Sequence, residues 1–147
     1  MRYPAVVTKE GKNVLAEFPT CPGCQTFAPV RRDIEHEAKE ALEGWLEANL
    51  QERKLPPRPP ESFRARGGCE VLWVSVEPKL AVKLELRWAR ERAGLTQAEL
   101  AKRAGISQPA IAQLEDPDSN PTIETLQKAA KALGTELSIR LDDARQR

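Results

Sequence analysis

No stretch of this chain comes near the roughly 20 consecutive apolar residues that a helix needs to cross a bilayer, so no membrane-spanning segment is expected. A secretory leader pattern is also missing, and with only three cysteines this points to the reducing cytoplasm. Histidine is scarcer still. His36 stands alone, which leaves few soft ligands for a four-ligand zinc site, and no metal or cofactor is expected. A surplus of one charge is lacking as well: residues before Pro78 carry 11 Lys plus Arg against 12 Asp plus Glu (net −1), and those after it carry 12 against 10 (net +2). A surplus of that size does not by itself mark a nucleic-acid surface, although a dimer doubles it on one side. What remains, 40% hydrophobic and 31% charged over 147 residues, fits a globular chain of one medium domain or two small ones.

The strongest local pattern runs from Leu95 to Gly134. Thr96-Gln97-Ala98-Glu99 is a capping box, in which the Thr hydroxyl and the Glu carboxylate satisfy backbone donors at a helix start, and Leu95 with Leu100 forms the accompanying apolar staple. Gly105 stops that helix, and Ser107 caps the next, with Ile106 and Ile111 repeating the staple. Pro109 falls in the first turn of the second helix, where its missing N–H is not required. Two helices joined by a short turn follow.

Upstream, Tyr3 to Thr8 and Asn13 to Phe18 alternate as strands, with Lys9 to Lys12 as their turn; Pro4 makes the first an edge candidate. Cys21-Pro22-Gly23-Cys24 invites a metal or redox reading. The remaining soft candidates, Cys69 and His36, lack zinc-module spacing, and a redox pair belongs on a strand-to-helix turn rather than after a hairpin. A tight Pro-Gly turn with two small buried thiols fits better. From Arg32 to Leu50, Ile34, Ala38, Ala41, Leu42, Trp45, Leu46 and Leu50 follow helical spacing opposite a run of Glu that reads as a solvated face. Residues 53–68 hold Pro56, Pro57, Pro59, Pro60, Gly67 and Gly68 and predict an irregular connection. Val71 to Val76 reads as a strand returning to the first sheet, apolar on both faces, so the face away from the helix wants a cover from another protein chain. Pro78 opens a helix with Val82, Leu86, Ala89 and Ala93 as its stripe, ended by Gly94; Thr122 caps another with Ile123, Leu126, Ala130 and Leu133 inward. Thr135 to Leu141 alternates as a terminal strand, and pairing with the same strand of a second copy about a two-fold axis satisfies its backbone.

The run from Leu95 to Glu115 (LTQAELAKRAGISQPAIAQLE) resembles the helix-turn-helix of the phage Cro and repressor family. That resemblance implies that Gln97 touches a phosphate and that Gln108, Ala110 and Gln113 face base edges, Gln suiting adenine and the Ala methyl suiting thymine. With the cap residues Thr96 and Ser107 these make up the expected DNA-contacting set. The following loop, Asp116-Pro117-Asp118-Ser119-Asn120, is acidic where relatives often offer Lys or Arg. Tyr3 to Val7, Phe18-Pro19, Pro22-Gly23-Cys24-x-Thr26 and the helix from Ala38 to Glu47 resemble the HicB antitoxins. The resemblance implies an α+β chain: residues 1–78 as a small sheet-plus-helix domain, a partial ribonuclease H-like fold that binds and blocks a HicA-like mRNA-cleaving toxin, and residues 79–147 as an all-α helix-turn-helix domain with terminal strand 135–141 that binds operator DNA as a homodimer or higher even oligomer and represses the shared operon. No enzyme activity is expected, since Glu17 and Asp33 alone do not build a catalytic metal site. Two alternatives stand beside this one, a transcription regulator whose front domain senses a ligand and a residual nuclease.

Overall fold

The computed structural model describes residues 1–141. The chain forms two compact units, Met1–Glu85 and Leu86–Arg147, and the division falls inside a helix. The first unit is built on a four-stranded antiparallel sheet: β1 (Arg2–Glu10), β2 (Asn13–Glu17), β3 (Gln25–Ala28) and β4 (Glu70–Ser75), in the order β3-β2-β1-β4. Helix α1 (Ile34–Gln51) lies on one face, with Ile34, Ala38, Leu42, Leu46 and Leu50 buried in a stripe of helical period against Tyr3, Ala5, Val7, Ala16, Ala28 and Val74. Each large apolar side chain so removed from water contributes about 1.5–3 kcal/mol. Glu35, Glu40 and Glu47 stay on the exposed side of α1.

Pro4 does not put β1 at an edge; β1 is central, between β2 and β4. The register explains the tolerance. Val76 N–H donates to Met1 O (3.1 Å), so Met1, Tyr3, Ala5 and Val7 turn their backbone groups toward β4, and Pro4 turns its own toward β2. The β2 ladder begins only at Val6↔Glu17, so no donor is required at Pro4. β4 does return to the first sheet, beside β1. Strand β3 is a further element that the four residues Gln-Thr-Phe-Ala do not announce by periodicity.

The turn before β3 closes through Cys21 N–H to Phe18 O (2.9 Å) and Cys24 N–H to Cys21 O (2.9 Å), with Gly23 at φ 80°; both thiols are free and buried, as the turn reading expects. The proline-rich connection is irregular and pinned by Tyr3, whose hydroxyl donates to Pro57 O (2.7 Å); burial raises the Tyr3 hydroxyl pKa well above its ordinary value. On the sheet face away from α1, cross-strand neighbours Phe27, Leu15 and Thr8, then Val6 and Val71, then Trp73 form an apolar surface, while Pro4, opposite Trp73, is fully buried. Phe27 is 47% exposed, and Leu15, Val6, Val71 and Trp73 are half-buried.

Helix α2 (Pro78–Arg92) runs from one unit into the other. Its buried residues are Leu80, Lys83, Leu84, Leu86, Arg87, Trp88 and Arg90; of the stripe that spacing suggests, Leu86 is buried, Val82 and Ala89 are half-buried and Ala93 is exposed. Three long basic side chains lie among the buried residues, and apolar periodicity is blind to cations that are buried with partners. The second unit continues with α3 (Gln97–Ala104), α4 (Gln108–Glu115) and α5 (Ile123–Ala132). Leu95, Leu100, Ala101, Ile111, Leu114, Leu126, Ala129 and Ala130 form its core, while Ile123, read as inward, is 56% exposed at the first position of α5. Thr135 keeps an N–H bond to Ala130 O (3.0 Å), but residues 135–141 are not a strand. Alternation supplies the side-chain pattern of a strand, whereas a strand exists only where a partner meets its backbone groups.

Candidate nucleic-acid interface

Local chemistry sets the geometry of α3 and α4. Thr96 Oγ1 accepts from Glu99 N–H (3.1 Å) and Ser107 Oγ from Ala110 N–H (3.3 Å), each from an extended cap residue. Gly105, at φ 68°, reverses the chain between them, and Ile106 N–H donates to Ala101 O (3.1 Å). The buried faces of both helices meet in the unit's core through Leu100, Ala101, Ile111 and Leu114.

The outward positions follow. At about 3.6 residues per turn, Gln108, Pro109, Ala112 and Gln113 share the exposed arc of α4, opposite Ile111, Leu114 and Glu115. Ala110 sits at the margin of that arc and is half-buried, whereas Ala112, not among the expected contacts, lies within it. Thr96 and Ser107 are exposed, and because each oxygen accepts its cap bond, each hydroxyl proton remains a donor. Gln97 is half-buried at the start of α3, and its Nε2–H donates to Glu115 Oε2 (3.1 Å).

That bond leads to a feature the sequence does not announce. Arg90 and Glu115, each under a tenth exposed, form a bidentate pair, Nε to Oε1 at 2.5 Å and Nη2 to Oε2 at 2.8 Å; Arg90 Nη1 also donates to Leu95 O (2.7 Å). The hydrogen bond to Glu115 raises the Arg90 pKa further above its ordinary value. A Glu at the end of an amphipathic helix ordinarily reads as solvated, and only the arrival of Arg90 from α2 makes its burial tolerable. The acidic loop is locally closed: Asp118 N–H donates to Asp116 Oδ1 (2.9 Å), and Ser119 Oγ donates to Asp116 O (3.0 Å) and to Gln113 O. Among the described residues no group of three or more His, Cys, Asp or Glu side chains is placed to hold a metal ion, and no helix is long and apolar enough to cross a membrane.

Two capped helices at a glycine turn, a polar outward arc on the second and a core behind both define a helix-turn-helix unit, and residues 86–139 match the helix-turn-helix family model. Over 61 residues, 42% of this chain, the sequence is 39% identical to an uncharacterized helix-turn-helix transcriptional regulator of Haemophilus influenzae, of which it spans 62%. Similarity to two antitoxins runs nearly end to end. It is 27% identical to antitoxin HicB 1 of Photorhabdus laumondii over 97% of this chain and 88% of the relative, and 29% identical to antitoxin HicB of Escherichia coli K12 over 95% and 98%. A solved HicA3 and HicB3 toxin-antitoxin complex aligns over 53% of this chain and all of that one, at 26% identity and a TM-score of 0.47. The chain is thus similar to HicB antitoxins along nearly its whole length, and its second unit is a helix-turn-helix.

Proposed function

We propose that the chain neutralises a HicA-like mRNA-cleaving toxin by direct binding and, through its helix-turn-helix, represses the operon that encodes the pair in the cytoplasm. The observation that carries this is similarity to HicB antitoxins across 95–97% of the chain, so both units have counterparts in one relative. Residues 1–78, a partial ribonuclease H-like fold in this reading, take the toxin, and residues 79–147 take DNA. The apolar sheet face carrying Phe27, Leu15, Val6, Val71 and Trp73 is the proposed toxin dock, because among the described residues α1 covers the other face. The role requires no catalysis by this chain: binding that occludes the toxin is sufficient.

On DNA, Gln108 and Gln113 project from the exposed arc of α4 as base readers, with Ala110 at its margin; Gln97, Thr96 and Ser107 donate to phosphates at the starts of α3 and α4. Two copies bind an inverted repeat, joined by antiparallel pairing of residues 135–141, where Ile139 is 63% and Leu141 95% exposed. The test uses the full chain in an RNA-cleavage assay with a HicA-like ribonuclease, beside gel shifts on the DNA upstream of its gene. Wild type should inhibit at near-stoichiometric ratio. Leu15→Glu with Val71→Glu should lose inhibition and keep DNA binding, and Gln108→Ala with Gln113→Ala should do the reverse. An antitoxin role is overturned if wild type leaves RNA cleavage intact.

A further inference from the structure

We propose that Glu115, held by Arg90, is a positioning residue for DNA binding: it fixes the side-chain amide of Gln97 for its phosphate contact. The inference rests on the DNA-binding reading above and adds residues that touch no DNA. Glu115 closes the far end of α4, Gln97 opens α3, and Arg90 ends its turn of α2; three helices therefore meet at one buried carboxylate. Arg90 acts on Gln97 a second way, because its bond to Leu95 O holds the backbone two residues before it.

The chemistry of the amide matters. Gln97 Nε2 carries two hydrogens, and a phosphate oxygen needs one of them. With one committed to Glu115 Oε2, the amide plane is fixed and the assignment of nitrogen and oxygen is settled, since the carboxylate only accepts. The second N–H is left as the donor. A free Gln side chain instead arrives at the phosphate with its rotamers unrestricted and its amide as often reversed, and ordering it on binding weakens association.

Stability alone does not account for an ion pair here. A buried bidentate pair can often be replaced by apolar side chains of similar volume without loss of stability, because the desolvation of two charges offsets their attraction. A leucine and a methionine can fill the same space, but they offer Gln97 no acceptor.

The experiment is a double-mutant cycle on the full chain. Arg90→Met with Glu115→Leu is made in the wild-type and Gln97→Ala backgrounds, and all four proteins are titrated across a salt series with two probes, duplex DNA of mixed sequence and the DNA upstream of the gene. Gln97→Ala should weaken both probes alike and leave the slope of log K against log salt unchanged, because a neutral amide neutralises no phosphate charge. The apolar pair should weaken both about two- to tenfold at an unchanged melting temperature. Gln97→Ala should then add little to it. Losses that simply add, or wild-type binding by the apolar pair, overturn the inference while leaving DNA binding intact. A wild-type chain that binds neither probe overturns the DNA-binding reading and this inference with it. A measurement independent of any variant is the side-chain amide of Gln97 by NMR in the free wild-type chain: two resolved, ordered protons are expected, and an order parameter below about 0.6 overturns the proposal.

Discussion

Cys21 and Cys24 show how far the environment of a single side chain departs from its sequence pattern. Burial pushes the Cys21 thiol from its ordinary value of 9.0 up to about 11, and burial together with the neighbouring Cys21 pushes Cys24 up to about 12. Reactive Cys-x-x-Cys pairs need the opposite, a lowered value that exposes the thiolate. Because both values are raised on folding, the stability these thiols confer is complete below the ordinary thiol value of 9.0. It is lost as pH rises through the folded values of about 11 and 12. Chemical denaturation across that window should show a falling midpoint, and Cys21→Ala with Cys24→Ala should flatten the fall. Cys69, which is exposed, should react at once with a thiol reagent in the native chain, the other two only on unfolding. Three equivalents consumed at one rate contradict the burial.

Among elements, α3 and α4 were the most legible, since their boundaries are made by short-range bonds: Thr96 to Glu99, Ser107 to Ala110 and the left-handed Gly105 all act within a few residues. Thr96→Ala and Ser107→Ala should each cost about 1 kcal/mol of the second unit's stability by denaturant titration, and substitution by Gly only a few tenths. An unchanged midpoint for Thr96→Ala removes the cap from the account. Strand β3 escaped because four residues are too few to show a period, and its existence depends on β2 offering a free edge. The positions of α2 and α5 that depart from the expected stripes have a related cause. Periodicity counts apolar side chains, whereas the neighbours that bury Lys83 and Arg90, or leave Ile123 outside, come from distant parts of the chain.

For the molecule as a whole, the segment 135–141 carries Ile139 and Leu141 exposed to solvent, in an alternation that suits a strand. If a second copy pairs with it, Ile139→Lys with Leu141→Lys should convert a dimer to a monomer in sedimentation and weaken binding to an inverted repeat. The half-sites of that repeat should lie roughly 34–36 Å apart, or a multiple of that. A wild-type chain that sediments as a monomer at all concentrations ends the pairing idea.

The sequence by itself determined what depends on neighbours a few residues away: the caps and turns of the helix-turn-helix, the β1–β2 hairpin, the amphipathic face of α1 and the small-thiol turn. It also announced a strand at Val71 that had to rejoin the first sheet, because an apolar strand alone has nowhere to bond. Tertiary structure decided the rest. It placed β1 in the centre of the sheet, where a proline is tolerated because β2 stops short of it. It also brought Arg90 across 25 residues to Glu115, turning an ordinary helix-end carboxylate into the buried link between α2, α3 and α4. A charged group leaves water only when its partner is already in place, and no periodicity along the chain records where that partner is.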